Sequence, residues 1–192
     1  MRCLAPLVDD HPMKVSMDEE TKLAVFEQTI VPHLNAAYNL AAWLTRNKDD
    51  AEDVVQEAYL RAFRFFGGFH GGDGKAWLLA IVRNTCQTWL HREKGNRSVV
   101  MFDEQMHSPE LAKANPEGML LKKFDVASLR ECLEGLPVDY REVVILRELE
   151  EMSYQEIADV VKIPLGTVMS RLSRARQRLA DCVAARVNGG LV

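Results

Sequence analysis

Residues Ser153–Leu179 read SYQEIADVVKIPLGTVMSRLSRARQRL, two short helical patterns separated by a turn of about four residues. Ser153 with Glu156 three positions later is a capping box ahead of Ile157, Ala158 and Val161. Lys162 to Gly166, with Pro164, forms the turn, and a second helix follows. At about 100° per residue, Val168, Leu172, Ala175 and Leu179 fall on one narrow face and predict packing against the first helix. Thr167, Ser170, Arg171, Ser173, Arg174, Gln177 and Arg178 fill the opposite arc. From Gly166 to Ala180 there are four arginines and no acid, whereas Arg130–Val160 holds nine acids and three bases, a balance of 3 − 9 = −6. A cationic face beside an acidic body is the footprint of a helix-turn-helix, where arginines meet phosphates and short polar side chains reach base edges in the major groove. The competing reading of the same arginines is a solvated face on an ordinary helix.

Upstream, a second helical block runs from about Thr21 to Glu93. Leu23, Phe26, Ile30, Leu34, Ala37, Ala41 and Leu44 recur every three or four residues, and Pro32 is expected to kink or split the helix they define. After a turn at Asn47–Asp50, Asp49 and Glu52 read as a capping box, with Ala51, Val54, Val55, Ala58, Tyr59 and Ala62 inside the next helix. Its outer face carries Asp50, Glu52, Asp53, Gln56 and Glu57, which reads either as a solvated acidic face or as a docking surface for a basic partner. Gly67, Gly68, Gly71, Gly72 and Gly74 surround Phe69, His70 and Asp73 in a loop. The helix beyond it has the opposite sign, with Lys75, Arg83, Arg92 and Lys94 against Glu93, and offers Asn84, Gln87 and His91 for polar contacts. Trp77 is expected in the core; Trp89 is open between core and a stacking surface for unpaired bases. Asp139 and Glu142 form a third capping pattern in the downstream block.

The chain of 192 residues thus reads as all-α, two small helical domains joined by a flexible linker. Expected boundaries are an extension at 1–18, with Met13 and Met17 as alternative starts, a first domain at 19–94, an acidic linker at 95–122, a second domain at 123–187 and a tail at 188–192. Hydrophobic residues at 47% and charged residues at 27% exclude a wholly disordered chain. The net charge of −4 hides the segregation of sign. Cys3, Cys86, Cys132 and Cys182 lie far apart without a CxxC pair, so reduced thiols are expected, with no zinc site and no disulfide framework. No signal peptide or membrane span is expected, and no cofactor. Paired metal-binding carboxylates, a phosphate-cradling glycine loop and a nucleophile motif are all missing, which argues against an enzyme. An operator-binding dimeric regulator and an enzyme acting on nucleic acid remain the alternatives.

Three segments then resemble one family in order and spacing. DDAEDVVQEAYLRAF (Asp49–Phe63) resembles the polymerase-binding helix of the extracytoplasmic-function (ECF) sigma factors, a subfamily of the sigma-70 superfamily. AWLLAIVRNTCQTWLHR (Ala76–Arg92) is similar to the helix they place against the -10 element, and Leu136–Leu179 to the module that reads the -35 element. The resemblance implies docking of Asp50, Asp53, Gln56 and Glu57 on the clamp helices of core RNA polymerase. It implies contact with melted -10 DNA through Phe69, His70, Asp73, Lys75, Arg83, Asn84, Gln87 and His91, with the glycine loop holding a flipped base. It implies a second module seated on the polymerase flap, with Thr167, Ser170, Arg171, Ser173, Arg174, Gln177 and Arg178 toward the -35 element. A cytoplasmic protein acting in a stress or signal response and held by an anti-sigma factor follows from the same likeness. Thr88 and His91 depart from the family, which often has an acidic and a basic residue there.

Overall fold

The computed structural model describes residues 19–97 and 128–189; the expected extension, most of the linker and the last residues of the tail lie outside them. All regular elements among the described residues are helical. In the first block α1 (Glu19–Thr29) gives way to a tight turn at Val31–His33 and then α2 (Leu34–Thr45), so Pro32 splits the predicted helix as expected. Phe26, Ile30, Ala37, Ala41 and Leu44 are buried, but Leu23 and Leu34 face outward. The change of axis at Pro32 removes the continuous stripe that would have covered them.

Arg46 closes α2 in the left-handed region, and α3 (Lys48–Phe65) starts at Asn47. The cap is Asn47 itself, whose side chain accepts from the Asp49 and Asp50 N–H groups; the expected Asp49–Glu52 box does not form. The glycine loop bends through Gly71 and Gly72 at positive φ and enters α4 (Gly74–Arg97). A Cβ on Gly74 would sit 2.7 Å from the Thr29 carbonyl oxygen, so only glycine lets α4 begin against the end of α1. Phe66 is buried beneath Phe26, Phe69 and Trp77.

In the second block α5 is described over 128–135 and α6 spans Val138–Val144. A wide helical turn, Ile145–Leu149, leads to α7 (Tyr154–Val161) and α8 (Leu165–Gly189). The Asp139–Glu142 capping pattern is not a cap: Pro137 occupies that position without a side-chain bond. Both halves of the Ser153–Glu156 box are present. Lys162 ends α7 in the left-handed region and turns the chain into α8. Val168, Leu172 and Ala175 are buried on the face the periodicity selected.

The two blocks share one core: α4 lies on α7, and α2 on α6. A disulfide joins Cys132 on α5 to Cys182 on α8, correcting the expectation of reduced thiols for this pair. Spacing gave no hint of it because the two cysteines are 50 residues apart and the fold alone brings their Cα atoms to 5.9 Å.

Candidate nucleic-acid interface

On α8 the packed face fixes which side chains remain open. Ser170, Ser173, Arg174 and Gln177 are exposed, and Thr167 is half-buried at the start of the helix. Ser170 donates back to the Thr167 carbonyl and Gln177 to Asp181, so both keep polar atoms at the surface. Arg174 carries no ion pair among the described residues. Arg171, predicted on the same open arc, instead turns toward α6. Its guanidinium lies 3.3 Å from Glu142 and 3.3 Å from Asp139. Arg178 lies over the Tyr140 ring, and Arg176 pairs with Glu148 at 2.6 Å. The open arc is therefore narrower than the arginine count implied. Met169 joins it at 52% exposure, a residue the polarity pattern had passed over.

Glu142 explains the position of Arg171. Its side chain is 1% exposed, and it holds Arg171 on one side and Arg83 of α4, at 3.0 Å, on the other. Burial pushes its carboxyl above the ordinary range, and the two guanidinium groups oppose that shift. Glu150 repeats the device. Its side chain, 5% exposed, sits 2.9 Å from the Lys75 ammonium, and its main-chain oxygen also accepts from Lys75. Lys75 and Arg83, both expected to meet -10 DNA, are thus engaged by carboxylates of the second block. The Gln87 carbonyl, oriented to satisfy both groups, accepts from Arg83 as well.

The rest of the expected -10 surface is divided. Asn84, Gln87, Thr88, His91 and Arg92 line one shallow groove along α4. Asn84 and His91 are exposed there, and His91 Nδ1 lies 2.7 Å from the Gln87 carbonyl oxygen. His70 is exposed in the glycine loop, while Asp73 accepts from the Lys75 N–H and so starts α4. Phe69 does not present an open ring. It stacks on Phe66 at 5.5 Å and tilts against Trp77 at 5.2 Å, in the apolar cluster. Trp89 is half-buried against the core.

On α3, Asp53 and Gln56 are exposed, Asp50 is half-buried, and Glu57 is half-buried and paired with Arg61 one turn on. Leu60 follows Asp53 by seven residues on the same face and is 70% exposed. An apolar residue standing open one turn beyond Gln56 and Glu57 suits a protein interface, and helical spacing from Asp53 was the signal that could have found it.

Two family models match this arrangement: "Sigma-70 region 2" over residues 29–95 and "Sigma-70, region 4" over residues 127–179. The ECF RNA polymerase sigma factor SigE of Mycolicibacterium smegmatis is 32% identical over 179 residues, which cover 87% of this chain and 69% of that protein. This chain belongs to the ECF sigma factors. The sigma-E factor of Escherichia coli strain K12 is 35% identical over 141 residues, 70% of this chain and 74% of that one. Among solved structures, the sigma factor RpoE of Bartonella quintana, crystallised with the anti-sigma factor NepR, aligns with a TM-score of 0.69 at 29% identity. That alignment covers 83% of this chain and 97% of the other. As an ECF sigma factor the protein is a promoter-recognising transcription initiation factor that works with core RNA polymerase, and it is not an enzyme. No helix among the described residues is long and apolar enough to cross a membrane.

Proposed function

We propose that this sigma factor reads the -35 element with the open arc of α8 and the melted -10 element with α4 and the glycine loop, while α3 docks on polymerase. The observation that carries this reading is the sorting of α8 into a buried face, Val168, Leu172 and Ala175, and an open polar arc centred on Ser170, Ser173 and Arg174. Arg174 is the base or phosphate reader, Thr167, Ser170, Ser173 and Gln177 supply short polar contacts, and Met169 meets the methyl group of a thymine. Arg178 reaches backbone phosphate from its place over Tyr140. Arg171 acts through position, by tying α8 to α6.

On α4 the groove of Asn84, Gln87 and His91 accepts unpaired bases, with His70 at its loop end and the backbone of the Phe69–Asp73 loop around a flipped base. Lys75 and Arg83 join that surface after the second block has moved away. Asp50, Asp53, Gln56 and Glu57, with Leu60 at the C-terminal end of the patch, make the contact with the polymerase clamp helices. The functional units are residues 19–94 and 123–187, and polymerase holds them apart at the spacing of the two promoter elements. Tethering raises the effective concentration of each unit at its element, so two small footprints suffice together. The likeness to a sigma factor crystallised with its anti-sigma factor supports control by such a partner, and a transcription factor of this family fits a cytoplasmic protein acting in a stress or signal response.

Run-off transcription with core polymerase and a promoter library tests this reading. The expected result is a set of promoters sharing two conserved hexamer-scale elements at fixed spacing. Specific binding of one duplex operator by the purified protein alone, with no polymerase-dependent transcripts, overturns it in favour of a conventional regulator.

A further inference from the structure

We propose that Cys132 and Cys182 are a reversible oxidation site that sets the stability of the DNA-reading block. The bond lies away from the open arc of α8. It joins α5 to a part of α8 one turn beyond Arg178, and it encloses α6, α7 and the reading segment of α8 in one covalent loop. Next to it Arg186 pairs with Glu131, again between α8 and α5. The two helices are thus held by one covalent and one ionic link at the same place.

Three observations favour a bond that opens and closes over a permanent one. First, Leu136, Val143, Ile145, Leu146, Ile157 and Leu172 are buried in the core the two blocks share, so apolar packing anchors the block alongside the bond. Second, the two sulfurs differ in access: Cys132 is buried and Cys182 is half-buried at the helix surface. A thiolate approaching from solvent therefore meets Cys182 and displaces Cys132. Third, Cys86 does not compete. It is a buried free cysteine whose thiol is pushed up to about 12 by burial, which leaves it protonated and inert near neutral pH.

The chemistry balances with ordinary partners. Hydrogen peroxide takes one thiol to a sulfenic acid and leaves as water; the second thiol attacks that sulfur and expels a second water as the S–S bond forms. A thioredoxin-class dithiol reverses it. One of its thiolates attacks the Cys182 sulfur, Cys132 leaves as a thiolate and takes up a proton, and the second thiol of the reductant resolves the mixed disulfide. Closing a loop of this length removes conformational freedom from the unfolded chain, so the oxidised block is the more stable one. The effect on transcription rests on the proposed role of α8; the chemistry and the stability change do not.

The test uses the full chain. Of its four cysteines, two titrate as thiols under denaturant after mild peroxide treatment, and all four do after incubation with a dithiol reductant. Glutathione buffers of graded ratio interconvert the two forms while helical circular dichroism is retained. The melting midpoint falls by about 10 °C or more on reduction. Cys132→Ser and Cys182→Ser each fix the midpoint near the reduced value and abolish its response to reductant, whereas Cys86→Ala retains that response. Four titratable thiols after peroxide, an unchanged midpoint, or a bond that yields to reductant only when the chain unfolds would each overturn the proposal. With core polymerase, at a temperature between the two midpoints, the oxidised form alone initiates from a -35-dependent promoter. Equal failure of both forms at low temperature counts against the promoter reading and leaves the thiol result standing.

Discussion

Replacing Arg171 and Arg174 one at a time separates structure from recognition on a single helix. Arg171→Ala removes two ion pairs. The one to Asp139 joins a half-exposed carboxylate and contributes ~0–1 kcal/mol. The one to Glu142 is made to an almost fully buried carboxylate, and a charge-assisted bond of that kind contributes about 1.5–3 kcal/mol. Glu142 keeps Arg83, so the loss stays near the sum, ~1.5–4 kcal/mol, and the melting midpoint drops by roughly 3–16 °C. Arg174→Ala removes no ion pair and changes stability by less than about 0.5 kcal/mol. Its effect is on DNA: ~1–3 kcal/mol, or about 5- to 150-fold in -35-dependent initiation.

Melting by circular dichroism and run-off transcription from promoters with intact and scrambled -35 elements measure both quantities. The double variant Arg171→Ala, Glu142→Gln adds a check, because neutralising the carboxylate removes the charge that Arg171 had compensated. Its stability loss is expected to fall short of the sum of the single losses by about 1 kcal/mol or more. An Arg171→Ala protein that melts like the parent but no longer distinguishes the two promoters would overturn the structural role of Arg171, since Arg171 would then leave its carboxylates to read bases.

Three other outcomes follow from the same contacts. Glu150→Gln removes the Lys75 ion pair between the blocks and, at about 1 kcal/mol or more, shifts the closed molecule roughly fivefold toward an open one; small-angle scattering then gives a larger radius of gyration, and an unchanged radius would show that this pair does not hold the blocks together. Asp53→Lys weakens association with core polymerase while far-ultraviolet circular dichroism stays the same, and unaltered holoenzyme assembly would discard the α3 surface. The raised thiol of Cys86 favours the neutral form in the folded state, so its stabilisation is complete below the unfolded thiol range, near 8.5, and is lost as pH rises toward 12. Iodoacetamide at pH 8 is therefore expected to label Cys86 only in denaturant, and rapid labelling of the native protein would contradict its burial.

Local signals were legible and remote ones were not. Ser153 and Glu156 were read correctly because a capping box closes within four residues. Val168, Leu172 and Ala175 were read correctly because a packed face has to recur at the helical period. Asp139 and Glu142 have similar spacing but a different cause: Glu142 is there to hold arginines 59 residues upstream and 29 downstream. Asp49 and Glu52 misled in a smaller way, since Asn47 two residues earlier offered the better cap. Polarity placed Arg171 on the open arc, and only the tertiary partner shows that it faces inward.

The charge pattern also serves the fold itself. Acidic and basic residues are segregated along the chain, and the simple reading sends each sign to its own outside partner. In the folded molecule part of the acid of the second block serves the base of the first, through Glu142 on Arg83 and Glu150 on Lys75. If α4 binds DNA as proposed, that binding and the keeping of the blocks together draw on the same two cations. On the proposed reading, promoter binding competes with closure. If polymerase holds the blocks apart as proposed, it removes the competitor before DNA arrives, and α3 docking becomes a condition for -10 contact as well as a means of attachment.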